Sequence, residues 1–137
     1  MQQWFTDAKL GIFIHYGIYA VKGIAESWSF FNGRISYEDY MSQLDGFTAS
    51  NFDAEYWADL IEKSGAKYAV LTTKHHDGVA LFDTQYSDLN VVKRTPAKRD
   101  IVKEFYEAIQ NVASVQGFIS HLLTGHIQIT QVFTKVA

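Results

Sequence analysis

Two short, mostly apolar runs in the first half of the chain predict β-strands. One covers Gly11–Tyr16, and the other covers Lys67–Thr73 with a high share of β-branched and aromatic residues. Neither run alternates strictly between polar and apolar positions, and a continuous apolar run is typical of a strand buried on both faces of a parallel sheet. We therefore expect both strands to lie inside an α/β fold.

Helical periodicity with capping residues fills the segments beside these strands. Ser36–Leu44 predicts a short helix with Ser36 as its N-cap, and Asp53–Ser64 predicts a longer helix that ends at Gly65. The apolar face expected for the longer helix consists of Trp57, Leu60, Ile61 and Ser64.

A third helix follows a loop that holds Pro96, and Asp100 is its predicted N-cap. Its expected apolar stripe consists of Ile101, Val102, Phe105, Ala108 and Ile109. The alternation of strands and helices predicts βαβ units, in which consecutive parallel strands are joined by right-handed crossovers.

The composition indicates a globular protein and excludes several partners. The 137 residues are 47% hydrophobic and 20% charged, which fits one folded domain. A net charge of -3 gives no basic surface for nucleic acid or for an anionic membrane. No cysteine is present, so the residues leave the cellular compartment unknown, and neither a signal peptide nor an apolar run of membrane-spanning length is seen.

Charge usage changes abruptly near residue 112. Of the 12 Lys and Arg and the 15 Asp and Glu residues, only Lys135 lies within 112–137. The apolar segment Val115–Leu123 is still able to form a strand, and Ile127–Thr130 alternates in a strand-like way. No repeat or linker indicates a second domain.

Histidines follow both predicted strands. His15 lies at the end of the first, and His75, His76 and Asp77 come directly after the second. Ligands of parallel α/β folds bind at the carboxyl ends of the strands, so we expect the three histidines to surround one pocket. A single histidine at a strand end is more often structural, but three at equivalent ends favour a site.

A metal site is the alternative for these histidines, with Asp77 as a fourth ligand. Adjacent side chains on extended backbone point to opposite sides, so His75 and His76 do not readily share one ion. We therefore predict no metal and favour a sugar site.

The loop after the first strand holds an acid and an aromatic residue, Glu26 and Trp28. A carboxylate accepts hydrogen bonds from sugar hydroxyls, and an aromatic ring covers the apolar face of a pyranose. The alternative is a core tryptophan beside a solvated glutamate. Glycoside hydrolysis needs two carboxyl groups, and Glu26 and Asp77 are the acids nearest to the strand ends, so both are catalytic candidates.

Four segments, in this order and spacing, resemble the start of the α-L-fucosidases of glycoside hydrolase family 29. They are Trp4–Gly17, Tyr56–Leu60, Gly65–Tyr68 and Thr72–Gly78, the last of which contains the string Lys-His-His-Asp-Gly. The resemblance runs from Trp4 to about Gln110 and implies a (β/α)8-type barrel, a retaining mechanism and no cofactor.

The resemblance also assigns the site residues. It implies that His15, His75, His76 and Glu26 bind the hydroxyls of fucose, with an aromatic contact from Trp28. Many family members read Glu-Trp-Tyr where this chain reads Glu-Ser-Trp, which is a departure at this loop. The nucleophile and the acid/base of the family lie on later strands, beyond residue 137.

The expected architecture is therefore an N-terminal portion of the barrel, with about three parallel strands and their helices in a single truncated domain, 1–137.

Read in a shifted frame, Gly117–Gln131 is able to encode a sequence that resembles the next strand and loop of the family, so we interpret 112–137 as an out-of-frame tail. An incomplete barrel exposes strand edges, and we expect a closed homo-oligomer, a dimer or larger, to complete it.

Three functions follow from this interpretation. The first is a fucosidase that acts on a fucosylated glycan or an aryl fucoside. The second is an inactive fucose-binding remnant, and the third is a folded oligomer without function. Fucose binding and fucoside cleavage separate the three.

Overall fold

The computed structural model describes residues 3–112 and 115–121. The α-helices in these residues are α1 (Gln3–Ala8), α2 (Trp28–Phe31), α3 (Tyr37–Met41), α4 (Ala54–Lys63), α5 (Val91–Arg94) and α6 (Ile101–Asn111). The strands are β1 (Gly11–Ile14), β2 (Tyr68–Lys74) and β3 (Gln116–His121), and 3₁₀ segments cover Ile18–Ala20 and Ser42–Gly46.

The three described strands form one parallel sheet in the order β1-β2-β3. Gly11 is aligned with Tyr68, and Tyr68 with Gln116, so β2 is the central strand. The predicted small parallel sheet with helices is confirmed, and the strand predicted within Val115–Leu123 is present as β3. The predicted segment Ile127–Thr130 lies outside the described residues.

The two predicted strands differ in burial. The central strand β2 is buried over most of its length, with Ala69 and Leu71 fully inaccessible. The prediction that β1 is also buried on both faces is wrong, because Phe13 is 57% exposed. Within the described sheet β1 pairs with β2 alone and is therefore an edge strand.

The predicted N-caps are confirmed by their hydrogen bonds. The Ser36 hydroxyl accepts from the Asp39 amide at the start of α3, and the Asp100 carboxylate accepts from the Lys103 amide at the start of α6. Gly65 follows α4 with a φ of 79°, the left-handed conformation expected of a glycine that ends a helix. These interactions satisfy backbone groups that a helix end leaves unpaired.

The apolar stripe of α6 is confirmed, whereas the predicted face of α4 is partly wrong. All five predicted residues of α6 are buried. In α4, Leu60 is 46% exposed and Ser64 is exposed, while Trp57 is half-buried. The buried positions of α4 are Ala54, Ala58 and Ile61. Helix α4 contacts α6, and its buried face therefore consists of two small alanines and one isoleucine instead of the large apolar residues that the periodicity selected.

One hydrophobic cluster joins the sheet to these two helices. Leu71 of β2, Ile61 of α4, and Phe105 and Ile109 of α6 all belong to it. This packing fixes β2 and therefore fixes the loop that leaves its carboxyl end. Among the helices that the structure describes, none has both the length and the apolar character of a membrane span.

Candidate functional site

The carboxyl ends of β1 and β2 lie side by side and bring the three predicted histidines together. Ile14 is aligned with Leu71 in the parallel sheet, so both strands end at the same edge. The ring centroids of His15 and His75 are 5.6 Å apart, and those of His75 and His76 are 5.0 Å apart. The function of these residues in binding stays a prediction, but they do form one cluster.

The three histidines differ in exposure. His75 is buried, at 6% exposure, whereas His15 and His76 are exposed. The rings of His75 and His76 are nearly perpendicular, at 85°, and their centroids are only 5.0 Å apart, so the expectation that these side chains point to opposite sides is wrong. The cluster therefore has one fixed imidazole at its base and two at its surface.

A serine hydroxyl holds the buried imidazole. Ser27 Oγ lies 2.9 Å from His75 Nδ1, and both side chains are buried. On the backbone side, the Gly78 amide donates to the His75 carbonyl at 3.0 Å. His75 is thus anchored through its ring and through the turn that follows it.

Glu26 is the carboxylate closest to this imidazole. Its Oε1 lies 4.0 Å from His75 Nε2, and its side chain is 22% exposed, so solvent reaches it. A separation of 4.0 Å is too long for a hydrogen bond between the two groups. The gap leaves both polar atoms available to a ligand that enters between them.

Burial keeps His75 neutral near neutral pH. Desolvation lowers the pKa of His75 below its ordinary value of 6.5, although the nearby charges of Asp77 and Glu26 act in the opposite direction. A neutral imidazole has one donor nitrogen and one acceptor nitrogen. At pH 7 it is therefore a hydrogen-bonding group and not a cation.

The structure places Asp77 inside the loop and not in the open cluster. Its Oδ2 accepts from the Tyr40 hydroxyl at 2.8 Å, and its Oδ1 accepts from the Val79 amide at 2.9 Å. Asp77 is 4% exposed, so each oxygen has a protein donor in a buried setting. Its predicted catalytic function stays a prediction, and this geometry favours a structural one in which it links α3 to the histidine loop.

Trp28 begins α2 and is 51% exposed. In the described part of the chain, its ring packs edge-on against Phe31, with centroids 5.1 Å apart, and not against the three histidines. Phe31 is itself 74% exposed. The two rings form an exposed aromatic surface on the same short helix that follows Glu26.

A buried tyrosine, Tyr19, packs edge-on against the ring of His75. Tyr19 has its ring centroid 6.3 Å from that of His75, and its hydroxyl is buried beside the side chain of Thr72. Burial, together with the charge of Asp77, raises the pKa of Tyr19 far above its ordinary value. Tyr19 is therefore a neutral phenol that shapes the wall of the site.

The sequence pattern did not identify Ser27, Tyr19 or the Tyr40 hydroxyl. Tyr40 has the helical spacing of a packing residue, and only the fold brings its hydroxyl to Asp77. The one usable signal for Ser27 was its position next to Glu26. The residues that the structure describes contain no group of three His, Asp or Glu side chains able to hold a metal ion.

The sheet and the cluster define a parallel α/β protein with a histidine and carboxylate site at the strand ends. Comparison with known proteins agrees with this class. A family model described as Alpha-L-fucosidase matches residues 1–131. Plasma alpha-L-fucosidase of Rattus norvegicus is 40% identical over an alignment that covers 79% of this chain and 27% of the relative. Alpha-L-fucosidase of Dictyostelium discoideum is 35% identical over an alignment that covers 87% of this chain and 30% of the relative.

Solved structures give the same result. The alpha-fucosidase of Thermotoga maritima in complex with fucose has a TM-score of 0.75 at 39% identity, covering 86% of this chain and 33% of that chain. An alpha-L-fucosidase of glycoside hydrolase family 29 from Bacteroides thetaiotaomicron has a TM-score of 0.77 at 30% identity, covering 87% and 28%. The chain belongs to the α-L-fucosidases of glycoside hydrolase family 29, and it spans about a third or less of the length of these relatives.

Proposed function

We propose that the histidine cluster binds the fucose ring of a terminal α-L-fucoside, and that this region is the recognition part of a retaining glycosidase. The observation that carries the proposal is the pair of His75 Nε2 and Glu26 Oε1, which face each other at 4.0 Å beside His15 and His76. The solved relative that contains fucose supports this choice of sugar.

The spacing of this pair suits a hydroxyl group. A sugar oxygen placed off the line between the two atoms sits about 2.8 Å from each, which is hydrogen-bonding distance. The hydroxyl accepts from one partner and donates to the other, so both of its polar functions are used. An apolar or purely accepting group leaves Glu26 unsatisfied.

The remaining predicted residues fit around this central contact. His15 and His76 are exposed on either side of His75 and are free to reach neighbouring hydroxyls of the same ring. Trp28 provides an exposed aromatic face on the helix after Glu26. We propose that Trp28 contacts the apolar side of the sugar or of the group attached to it.

Cleavage needs two carboxyl groups, one of which donates a proton. Glu26 is the accessible candidate in this cluster, and Asp77 is the buried one. The family resemblance assigns the nucleophile and the acid/base to later strands, so we propose that Glu26 acts mainly in binding. Hydrolysis of fucosylated glycans or aryl fucosides then requires this cluster together with the carboxyl groups of the later strands.

The test combines calorimetry with L-fucose and hydrolysis of nitrophenyl α-L-fucoside on the full chain. Glu26→Gln removes a charged acceptor, and we expect fucose affinity to fall about tenfold to a hundredfold. Asp59→Asn is the matched control, because Asp59 lies on the exposed face of α4 and pairs with Lys63. Equal affinity of both variants and the parent chain would overturn the assignment of Glu26.

The same assay separates the alternative functions. Binding with release of nitrophenol identifies an active fucosidase, and binding without release identifies a fucose-binding protein. If neither fucose nor the fucoside interacts with the folded chain, the cluster has no sugar function. The controls with Asp59→Asn show whether a loss comes from the site or from general instability.

We further propose that this sheet belongs to a (β/α)8-type barrel and that copies of the chain associate to cover its open edge. The support is the exposed apolar surface of Phe5, Leu10 and Phe13, which are 43%, 49% and 57% exposed around the edge strand β1. Large exposed apolar side chains near an unpaired strand edge suit a contact with another chain. Light scattering tests the proposal, and a well-folded monomer would refute association.

The out-of-frame origin of 112–137 remains a proposal as well. Its support is the loss of charge after Asn111. The family model matches through residue 131, which includes most of this segment and counts against the proposal. The coding DNA is the direct test, since an uninterrupted frame that resembles the relatives would end the proposal.

A further inference from the structure

Ser27 occupies a helix start but does not cap the helix. It precedes α2, where a serine side chain ordinarily accepts from an amide of the first turn. Here the hydroxyl makes no capping bond, and the Ser27 backbone is helical, with φ -51° and ψ -20°, and not extended. The hydroxyl instead lies 2.9 Å from His75 Nδ1. Capping of α2 therefore does not explain why the Ser27 hydroxyl points to His75.

The surroundings of His75 determine the direction of this hydrogen bond. A neutral imidazole carries its proton either on Nδ1 or on Nε2. Nε2 lies 4.0 Å from the Glu26 carboxylate, which is an acceptor only. A lone pair on Nε2 would face that negative charge, whereas an N–H is attracted to it. The proton therefore belongs on Nε2, and Nδ1 must accept from the Ser27 hydroxyl.

We propose that Ser27 is a positioning residue, which donates its hydroxyl proton to His75 Nδ1 and so fixes that imidazole as a donor toward the ligand. This inference rests on the proposed function for the identity of the ligand as a sugar. A flip of the ring would break this contact, because Nδ1 is the ring nitrogen that meets the Ser27 hydroxyl.

The fixed proton makes the site selective for a free hydroxyl. A hydroxyl between the two groups accepts from His75 Nε2–H and donates to Glu26, whereas a methyl ether at the same place accepts but cannot donate. The ether leaves a carboxylate oxygen without its partner inside a partly buried site. We expect a fucose derivative that is methylated at this hydroxyl to bind about tenfold more weakly or worse than the free sugar.

The test is nitrogen NMR on the full chain labelled with ¹⁵N-histidine, above pH 7 so that the imidazole is neutral. His75→Gln identifies the His75 signals by their loss. We expect Nε2 to be the protonated nitrogen and Nδ1 to be the unprotonated, hydrogen-bonded one. In Ser27→Ala the Nδ1 resonance should move toward that of a nitrogen without a donor.

Ser29→Ala is the matched control, because Ser29 is an equally buried serine in the same helix whose hydroxyl donates to the Ala25 carbonyl and not to a histidine. In Ser29→Ala the His75 Nδ1 resonance should stay near that of the parent chain. A protonated Nδ1 in the parent chain, or an Nδ1 resonance unchanged in Ser27→Ala, would overturn the proposal.

Sugar binding is measured separately on the same variants. Ser27→Ala should weaken L-fucose about threefold to tenfold, and Ser27→Thr, which keeps the donor, should recover most of that loss. Equal affinity of Ser27→Ala and the parent chain overturns the positioning role. If the NMR result holds but the parent chain binds no fucose, the proposed function fails while the assignment of Ser27 to His75 stands.

Discussion

Replacing Tyr40 with phenylalanine tests the link between α3 and the histidine loop. The Tyr40 side chain is fully buried, and its hydroxyl donates to Asp77 Oδ2 at 2.8 Å. Phenylalanine keeps the ring and its edge-on contact with Phe30, whose centroid is 4.9 Å away. The substitution therefore removes one hydrogen bond and almost no apolar contact.

The size of the effect follows from the charge of the acceptor. A hydrogen bond to a charged group contributes about 1.5–3 kcal/mol, and the Asp77 carboxylate is left with only the Val79 amide among the hydrogen bonds described for it. We expect Tyr40→Phe to lower the free energy of unfolding by about 2 kcal/mol. In urea this corresponds to a midpoint shift of about 1 M at an unchanged slope.

Tyr37→Phe is the matched control. Tyr37 also points to Asp77, but its hydroxyl lies 3.4 Å from the backbone carbonyl and the side chain is 51% exposed. We expect a loss below about 0.5 kcal/mol. Similar midpoints for the two variants would refute the reasoning. So would simple additivity of Tyr40→Phe and Asp77→Ala, because contacting residues should show a coupling energy.

Three further predictions concern stability. Asp100→Ala removes the acceptor of the Lys103 and Asp83 amides, and urea unfolding should show a loss of about 1–2 kcal/mol. Gly65→Ala forces a side chain into a φ of 79°, where no atom is close enough to clash, so thermal unfolding should report about 1 kcal/mol of purely backbone cost. The folded-state pKa of His75 is lowered, so its contribution to stability is complete above about pH 6.5 and falls as the pH drops below that value. Unfolding measured from pH 7.5 to 5.5 should show this decline, and His75→Gln should reduce it.

The helix α6 illustrates how much the sequence predicts when its signals agree. Asp100 provides the cap, and five apolar residues at helical spacing provide the buried face, so local and tertiary requirements point to the same element. In α4 the same method selected Leu60, which is 46% exposed. Periodicity finds the large apolar side but does not show that Ala54 and Ala58 are among the buried residues.

The strands and the site show a second limit. A continuous apolar run fits an edge strand as well as a central one, and only the structure shows that β1 is the edge strand and that its Phe13 is exposed. The histidines were predictable because strand ends are local features of the sequence. Ser27 was not, because its partner His75 lies 48 positions away and the contact exists only after β2 has entered the sheet.

The all-parallel pairing of the described sheet has a kinetic consequence. Gly11 meets Tyr68, and Tyr68 meets Gln116, so no described strand finds its partner within a hairpin. The chain must close long loops, at an entropic cost, before any strand pairing compensates for it. We expect α4 and α6 to form early and the sheet to assemble late, so that the unpaired strands of the folding intermediate are the species most exposed to aggregation.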